Sequence, residues 1–365
     1  MATAANSESQ HEVLQPIHPS MVDRLDPVFA KLYNDNVAST PLKPIDLAAL
    51  RRNYSVLYSY GTAPAPEVAR IYDKTIQIEP GIEIDVRVYQ PDTTGPWPVH
   101  IDFHGGGWGL GDLDTEAHIC KHICHRAKVA VIDVAYRLVP ETPFPAGITD
   151  SFAAVQYIHQ HGAEEFNIDP TRISLGGVSA GACIALACAH LARDAGTSIP
   201  IQLVAAGTPT VDDISRYTSA ADSPFPSMRE NEFAPTLNWQ RLRFFDALKN
   251  KSIPADKTEQ VGWFKNLFDA PNFANLPRTV IFTAGADPLR YSQTIVQVYN
   301  RLADICDRNE GERYGQILAA NGNEVLLKRY PGVPHPFMHM DKELWQAKDF
   351  INRTAREIKI ALLSD

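Results

Sequence analysis

The fold is decided by a short stretch in the middle of the chain, Ile173-Ser174-Leu175-Gly176-Gly177-Val178-Ser179-Ala180-Gly181. Its first three residues form an apolar strand, and the alanine-rich segment after Ser179 predicts a helix over 180–194. Glycines two positions before and two positions after the serine leave room for a sharp strand-to-helix turn. We therefore expect Ser179 to project from that turn as a candidate nucleophile, at a helix N-terminus that favours negative charge.

Strands and helices alternate along the chain on both sides of this turn. Alternation of this kind predicts an α/β fold with a mostly parallel central sheet that is flanked by helices. A hairpin around Pro80-Gly81 precedes the parallel strands. The expected strands are Thr75–Ile78, Ile82–Tyr89, Pro98–Phe103, Val129–Val134, Ile173–Leu175, Ile201–Ala206, Thr279–Thr283 and Glu324–Tyr330, with helices over about 115–127, 150–162, 180–194 and 341–362.

Two segments without a strand pattern divide the chain. Residues 1–74 contain two helical patterns, Ser20–Tyr33 and Pro44–Tyr54, and predict an N-terminal helical cap segment. Residues 211–275 predict a helical cap insertion between the two parts of the core, 75–210 and 276–365. We expect some aromatic residues of the insertion to line a pocket at the C-terminal edge of the sheet, the alternative being that they fill only the insertion's own core. These residues are Tyr217, Phe225, Phe233, Trp239, Phe244, Phe245, Trp263, Phe264, Phe268 and Phe273.

The composition of the 365-residue chain narrows its function classes. A formal net charge of −9 at pH 7 gives no electrostatic basis for binding nucleic acid. No apolar run approaches the roughly 20 residues of a membrane span, and the N-terminus has no secretory signal pattern. The five cysteines, an odd number, predict reduced thiols in a cytoplasmic protein. Whether the protein forms a homodimer is left open.

A glycine-rich loop follows another strand, His104-Gly105-Gly106-Gly107-Trp108. Backbone N–H groups in such a loop can approach a substrate oxygen closely and stabilise the oxyanion of a tetrahedral intermediate, a contribution of about 3–4 kcal/mol for each donor. The alternative is a glycine-rich turn without a function. The presence of the serine turn further along the chain favours the oxyanion loop over this alternative.

An acid and a base are expected after the serine, in the chain order Ser, Asp, His. Asp287 follows the expected strand Thr279–Thr283, at a strand end where an orienting carboxylate belongs. His335 follows the last expected strand and is the candidate base. A turn or capping aspartate is the alternative for Asp287, and His339 is the rival of His335.

These segments together resemble the hormone-sensitive-lipase family of α/β-hydrolases, which includes bacterial esterases, arylacetamide deacetylases and plant carboxylesterases. The run Tyr-Arg-Leu-Val-Pro-Glu-Thr-Pro-Phe-Pro-Ala at 136–146 also matches that family. The resemblance implies Ser179 as the nucleophile, His335 as the base and Asp287 as the residue that orients it. Val178 and Pro336 depart from the family pattern, which usually has Asp and Gly at these positions.

The resemblance also implies an oxyanion hole and a reaction. The hole is formed by the N–H groups of Gly106, Gly107 and Ala180, with Gly105 shaping the loop. The implied reaction is hydrolysis of a small to medium hydrophobic carboxylic ester, a small molecule, through an acyl-enzyme, with no cofactor and no metal. Two other functions stay open: an amide hydrolase or deacetylase with the same three residues, and a non-hydrolytic ligand-binding member of the fold.

One expected helix carries residues at metal-ligand spacing. His118 and His122 are four positions apart, as are Cys120 and Cys124. The two pairs are offset by two residues, which places them on nearly opposite faces of the helix and prevents them from sharing one ion. We interpret them as residues of a packed core helix.

Residues 291–308 interrupt the family pattern shortly after Asp287. In the family the aspartate segment continues directly into an acidic helix start, which here comes only at Asn309-Glu310-Gly311-Glu312. The apolar residues Ile295, Val298, Leu302 and Ile305 have helical spacing, which favours a helical extension at the rim of the site. The alternative is an intron read through in the gene.

We expect that deleting residues 291–308, so that Arg290 joins Asn309, gives a soluble protein at least as active as the full chain. The joined sequence restores the family pattern, and a displacement of about 1 Å at such a site can cost on the order of 100-fold in rate. Both proteins are purified and assayed on the same short-chain ester. An insoluble or clearly less active shortened protein would mean that the segment belongs to the working enzyme.

Overall fold

One eight-stranded sheet forms the centre of the computed structural model, which describes residues 14–41, 45–196, 199–290 and 310–363. Residues 291–308, and with them Cys306, lie outside the described residues. The strands are β1 (Arg70–Glu79), β2 (Ile82–Gln90), β3 (Trp97–Phe103), β4 (Ala130–Val134), β5 (Ile168–Val178), β6 (Ile201–Gly207), β7 (Arg278–Ala284) and β8 (Val325–Tyr330).

The strand order is β1-β2-β4-β3-β5-β6-β7-β8. β1 pairs antiparallel with β2, and β2 pairs antiparallel with β4, while all the remaining neighbours are parallel. This confirms the mostly parallel sheet with an antiparallel hairpin at its start. Because parallel strands end at the same edge, the loops after β3, β5, β7 and β8 meet above the C-terminal edge of the sheet.

Helices cover the sheet, as the alternating sequence pattern predicts. No helix among the described residues has the combination of length and apolar character that crossing a membrane requires. The described α-helices are α1 (Pro27–Tyr33), α2 (Leu47–Tyr58), α3 (Ala117–Ala127), α4 (Ala146–Phe166), α5 (Ala180–Asp194), α6 (Pro226–Glu230), α7 (Trp239–Ser252), α8 (Glu310–Ala320) and α9 (Trp345–Leu363).

The single helix expected over Ser20–Tyr33 was wrong. The structure has a 3₁₀ helix, Pro19–Arg24, followed by the separate helix α1. Pro27 has no N–H to donate to a preceding turn, so it begins a new helix instead of continuing the old one. Asp26 caps that new helix, because its Oδ1 accepts the N–H of Val28 at 2.8 Å.

Helix α5, which begins directly after Ser179, is buried almost throughout. Its alanines let the helix backbone lie close to β5 and β6. The thiols of Cys183 and Cys188 on this helix are free and buried. The helix therefore fixes the position of the serine turn relative to the sheet.

The N-terminal helices pack against the loops at the C-terminal edge of the sheet. Phe29 is fully buried in a cluster that also contains Phe337 from the loop after β8. The N–H of Asp26 donates to the carbonyl of Gly332 in the same loop at 2.7 Å. On α2, Arg51 donates to the carbonyl of Gly109 at 2.8 Å, next to the glycine-rich loop. These contacts brace two of the loops that surround the candidate site.

We expect Phe29→Ala to lower the free energy of unfolding by about 3–5 kcal/mol, because truncating a buried phenylalanine removes apolar burial and leaves a cavity. Val28→Ala on the same helix is the matched control, since Val28 is 45% exposed. The midpoints of urea unfolding of the two variants are compared with that of the wild type. Equal losses in both variants would contradict the packing of α1 into the core.

Candidate active site

Ser179 lies at the turn between β5 and α5 in a strained backbone conformation. Its φ of 58° and ψ of −116° are rarely adopted by residues other than glycine. Its N–H donates to the carbonyl of Gly207 at 2.8 Å, which ties the turn to the end of β6. A Cβ at Gly181 would collide with the carbonyl oxygen of Phe103, so glycine is required for α5 to start this close to β3. The turn exposes the hydroxyl of Ser179 to the cavity above the sheet.

The glycine-rich loop after β3 faces the same cavity. Gly106 has a φ of +127°, and a Cβ there would collide with the carbonyl of Leu110, so this position also requires glycine. Gly106 and Gly107 line the cavity beside Ser179. The N–H of Gly105 is directed elsewhere, because it donates to Oε1 of the buried Glu116 at 3.3 Å.

Ala180 begins α5 next to Ser179, so its N–H is one of the groups at the helix N-terminus that no preceding carbonyl of the helix can accept. Gly106 and Gly107 line the cavity, and Ala180 follows Ser179 directly, so three backbone N–H groups belong to residues beside the serine hydroxyl. Backbone N–H groups directed at one point are what an oxyanion needs, and these three residues are the candidates for that role.

Asp287 and His335 form a buried pair at the ends of β7 and β8. The distance from Nδ1 of His335 to Oδ2 of Asp287 is 2.9 Å, and the residues are 5% and 1% exposed. The other carboxylate oxygen, Oδ1, accepts the N–H of Leu289 at 2.9 Å. A carboxylate partner at Nδ1 holds the imidazole with its proton on that nitrogen, which leaves Nε2 free to accept a proton.

Residues that precede α7 brace both of these loops. Asn231 donates from Nδ2 to the carbonyl of Asp287 at 2.8 Å, and Ser227 donates to the carbonyl of Pro288 at 2.6 Å. The hydroxyl of Thr236 donates to the carbonyl of His335. The segment that was expected as a cap insertion thus holds the acid and the histidine in place by direct hydrogen bonds.

The cavity above Ser179 opens to solvent, and together with the open space at its mouth it has an empty volume of about 670 Å³. Of the insertion's aromatic residues, only Phe245 is among its lining residues, while others, such as Phe225 and Phe268, stack on each other. Both expectations for the aromatic residues are therefore correct in part: one of them lines the cavity, and others pack within the insertion. The lining residues are Tyr54, Gly106, Gly107, Trp108, Ser179, Thr210, Asp212, Ile214, Leu237, Leu242, Phe245, Asp246, Lys249, Leu289, His335 and Pro336.

His339, the rival base, faces Glu116 and is not among the residues that line this cavity. Its Nε2 lies 3.5 Å from Oε2 of Glu116, beneath the glycine-rich loop. Burial, together with the charge of Asp102, raises the pKa of Glu116 to about 8, and burial lowers the pKa of His339 to about 4. Sequence reasoning missed Glu116, because one acidic residue at the start of a helix carries no signal of its own.

The sequence analysis also missed three charged residues in the cavity wall: Asp212, Asp246 and Lys249. All three are buried, and burial raises the pKa of both carboxyl groups. Lys249 and Asp246 lie one turn apart on α7, where the sequence pattern shows only a helix with mixed polarity.

Among the described residues, His118, His122 and Asp341 form a group whose donor atoms all lie within 4.8 Å of one another. Nε2 of His118 is 3.0 Å from Oδ1 of Asp341. The Nε of Arg126 donates to Nδ1 of His122 at 3.2 Å, which leaves the proton of that neutral imidazole on Nε2, facing the carboxylate. This favours a histidine–carboxylate pair over a metal ligand.

Three comparisons place these features among known proteins. The profile of the α/β-hydrolase fold family matches residues 100–305. An AB hydrolase superfamily protein of Schizosaccharomyces pombe is 30% identical, over 97% of this chain and 99% of that protein. The carboxylesterase NlhH of Mycobacterium tuberculosis is 33% identical, over 81% of this chain and 84% of that protein.

A solved structure agrees with these relatives. The hyperthermophilic esterase from the archaeon Pyrobaculum calidifontis superposes with a TM-score of 0.76 at 26% identity, over 92% of this chain and 98% of that one. The chain therefore belongs to the α/β-hydrolase family, in its hormone-sensitive-lipase-like branch, and is an enzyme of the hydrolase class.

Proposed function

We propose that this enzyme hydrolyses carboxylic esters through an acyl-enzyme on Ser179, with His335 as the base and Asp287 as the residue that orients the imidazole. The observation that carries the proposal is the buried 2.9 Å hydrogen bond between Asp287 and His335, whose imidazole lines the same cavity as Ser179. A serine, a histidine and a buried carboxylate in this relation are what activation of a hydroxyl requires.

The reaction has two steps, acylation of Ser179 and hydrolysis of the acyl-enzyme. The Oγ of Ser179 attacks the ester carbonyl while its proton passes to Nε2 of His335, and backbone N–H groups of Gly106, Gly107 and Ala180 stabilise the oxyanion. Collapse of the intermediate transfers that proton to the leaving alcohol. Water then gives a proton to Nε2 as it attacks the acyl carbonyl. Collapse of this second intermediate breaks the bond between the acyl carbon and Oγ, which takes the proton back from Nε2, and releases the acid.

Asp287 contributes through the tautomer of His335 and through charge. Its carboxylate fixes the proton of the imidazole on Nδ1 and stabilises the imidazolium that forms during the attack. The site needs no metal and no cofactor for these steps, because every proton moves between the serine, the histidine, the substrate and the attacking water.

Ester hydrolysis is favoured over the other two functions that the sequence left open. Relatives such as NlhH are named carboxylesterases, which supports an ester over an amide. A non-hydrolytic binder needs neither the strained serine nor the buried pair that the site retains. The cytoplasmic location and the homodimer considered from the sequence remain predictions, with a small-molecule ester as the proposed partner.

We expect Ser179→Ala to reduce kcat for ester hydrolysis by on the order of 10⁶, since the acyl-enzyme can no longer form. Labelling by a fluorophosphonate, which reacts with activated serines, disappears at the same time. Ser20→Ala, at an exposed serine outside the cavity, is the control and keeps both activity and labelling. Retained turnover in pure Ser179→Ala protein would contradict the mechanism.

We expect activity to fall as the pH rises through about 8, because Glu116 then loses its proton beneath the glycine-rich loop. Below that pKa the neutral carboxyl accepts from Gly105 and can donate to the neutral His339. Above it, a buried negative charge lies under the loop that must stabilise an oxyanion, so the rate constant kcat falls.

The measurement is kcat against pH from 6 to about 10, with the background hydrolysis subtracted. Glu116→Gln keeps a neutral group of the same shape, and we expect it to lose the decrease above pH 8 while KM changes little. Glu164→Gln, at an exposed glutamate, keeps the wild-type profile. An unchanged decrease in Glu116→Gln would show that another group titrates, and Glu116 would then be only a structural contact of the loop.

A further inference from the structure

Most residues around the cavity are apolar or glycine, but three residues of its wall are charged. Asp212, Asp246 and Lys249 line it and are 5%, 6% and 6% exposed. Charged side chains are rarely this buried without firm partners, because taking an ion out of water is costly unless hydrogen bonds replace the water. The partners of these three groups therefore decide what the cavity can hold.

The ammonium group of Lys249 has no hydrogen-bond acceptor among the described residues. The carboxylate closest to it within ion-pair range is that of Asp246, and the distance from Nζ to Oδ1 is 3.6 Å. That oxygen already accepts from Nδ2 of Asn250 at 2.8 Å. An ammonium group has three N–H donors, so the buried Lys249 has hydrogen-bonding capacity that the protein leaves unused.

Asp212 also has unused hydrogen-bonding capacity, but as an acceptor and not as a donor. Its Oδ2 is buried and lacks a hydrogen-bond partner within ordinary distance among the described residues, although the hydroxyl of Tyr217 faces the same carboxyl group. The wall of the cavity thus offers donors at Lys249 and an acceptor at Asp212. A purely hydrocarbon ligand that fills the cavity beside these groups would displace water from both of them without replacing the hydrogen bonds.

Helix α7, which carries Lys249, packs against the glycine-rich loop. Cβ atoms added at Gly107 and Gly109 would collide with Phe245 and Leu248, so α7 lies across that loop. Nζ of Lys249 is 5.6 Å from the ring of Phe144, in the segment that follows β4. In the strand order, β3 and β4 lie on one side of β5, and β8 lies on the other.

This arrangement separates the two parts of an ester. The imidazole of His335, after β8, must face the leaving oxygen that it protonates, so the alcohol part extends toward that side. The acyl part then extends the other way, toward α7 and Lys249.

We propose that Lys249 binds an oxygen acceptor at the far end of the acyl chain. The preferred substrates are then esters of acids whose chain carries an oxygen, such as oxo acids or dicarboxylic half-esters, and not esters of unsubstituted alkanoic acids. This inference rests on the proposed function. It narrows the substrate class that the sequence implied, small to medium hydrophobic esters, to those with an oxygen on the acyl chain. The acceptor is a carbonyl or a carboxylate oxygen, since the unused groups on Lys249 are donors.

The test uses three p-nitrophenyl esters of equal chain length: hexanoate, 5-oxohexanoate and the half-ester of adipic acid. For the wild type we expect kcat/KM for at least one oxygenated ester to exceed that for the hexanoate by about 10- to 100-fold, the effect of one hydrogen bond to a charged donor. A preference for the ketone alone identifies a neutral carbonyl as the acceptor, and a preference for the half-ester identifies a carboxylate.

Lys249→Met removes the donor at nearly constant length, and we expect the ratio of the oxygenated ester to the hexanoate to fall to about one. Lys251→Met, at an exposed lysine on the same helix, keeps the wild-type ratio. Lys249→Met leaves Asp246 with only one of its two cations, since Arg243 lies 3.6 Å from its other carboxylate oxygen. The double variant Asp246→Asn/Lys249→Met therefore tests the same ratio with both charges of the Asp246–Lys249 pair removed.

Three outcomes would overturn the inference. The first is a wild type that prefers the hexanoate, and the second is a preference that persists in both Lys249 variants. The third is that these variants change only the selectivity for oxygen in the alcohol part, for example 2-methoxyethyl against butyl butyrate. Fluorophosphonate labelling of the wild type separates these failures from failure of the proposed function: a labelled Ser179 without acyl selectivity refutes only the inference, and an unlabelled, inactive protein refutes both.

Discussion

Ser179 has backbone angles that cost on the order of 1–3 kcal/mol, and they persist because both neighbouring elements are fully packed. β5 ends in the middle of the sheet, and α5 is buried along almost its whole length, so neither can move to relieve the turn. The absence of a side chain at Gly181 lets α5 begin against the carbonyl of Phe103. Phe103 is the last residue before the glycine-rich loop. One backbone contact therefore fixes the separation between the serine and the donors that surround its substrate.

The acid and the histidine depend on more distant parts of the chain. Asp287 and His335 lie in loops whose carbonyls accept hydrogen bonds from Asn231 and Thr236, residues that lie between β6 and β7. The loop after β8 is also held from the N-terminal side, where Asp26 donates to Gly332. Both segments expected to cover the site thus also set its geometry. A loop that is fixed at several points loses little entropy when it binds substrate, which preserves the alignment of the pair.

The parts of this site that the sequence predicts are those that local geometry determines. A turn between a buried strand and a buried helix can be made with few residue types, so the glycines around Ser179 reveal it without any tertiary information. Glu116 and Lys249 are different, because each is one charged residue on a helix and its neighbours come from distant segments. The same limit affected the aromatic insertion, where periodicity could not separate Phe245 from residues that pack on each other. The prediction of one helix over Ser20–Tyr33 was wrong for the opposite reason. Pro27 is a local signal for a new helix start, but the prediction followed the apolar spacing instead.

The charges on α7 show how a polar recognition group can be kept in an apolar cavity. Asp246 and Lys249 are one helical turn apart, and this spacing brings opposite charges close without a long-range constraint. At 3.6 Å the carboxylate lowers the cost of the buried ammonium group by Coulombic attraction, but it does not occupy the N–H donors. A closer pair would satisfy both groups and leave nothing for a ligand, while a lone lysine would lose its charge or move to solvent. A loose ion pair therefore keeps the protein stable while the cavity is empty. It also leaves the N–H donors of Lys249 available for a substrate oxygen.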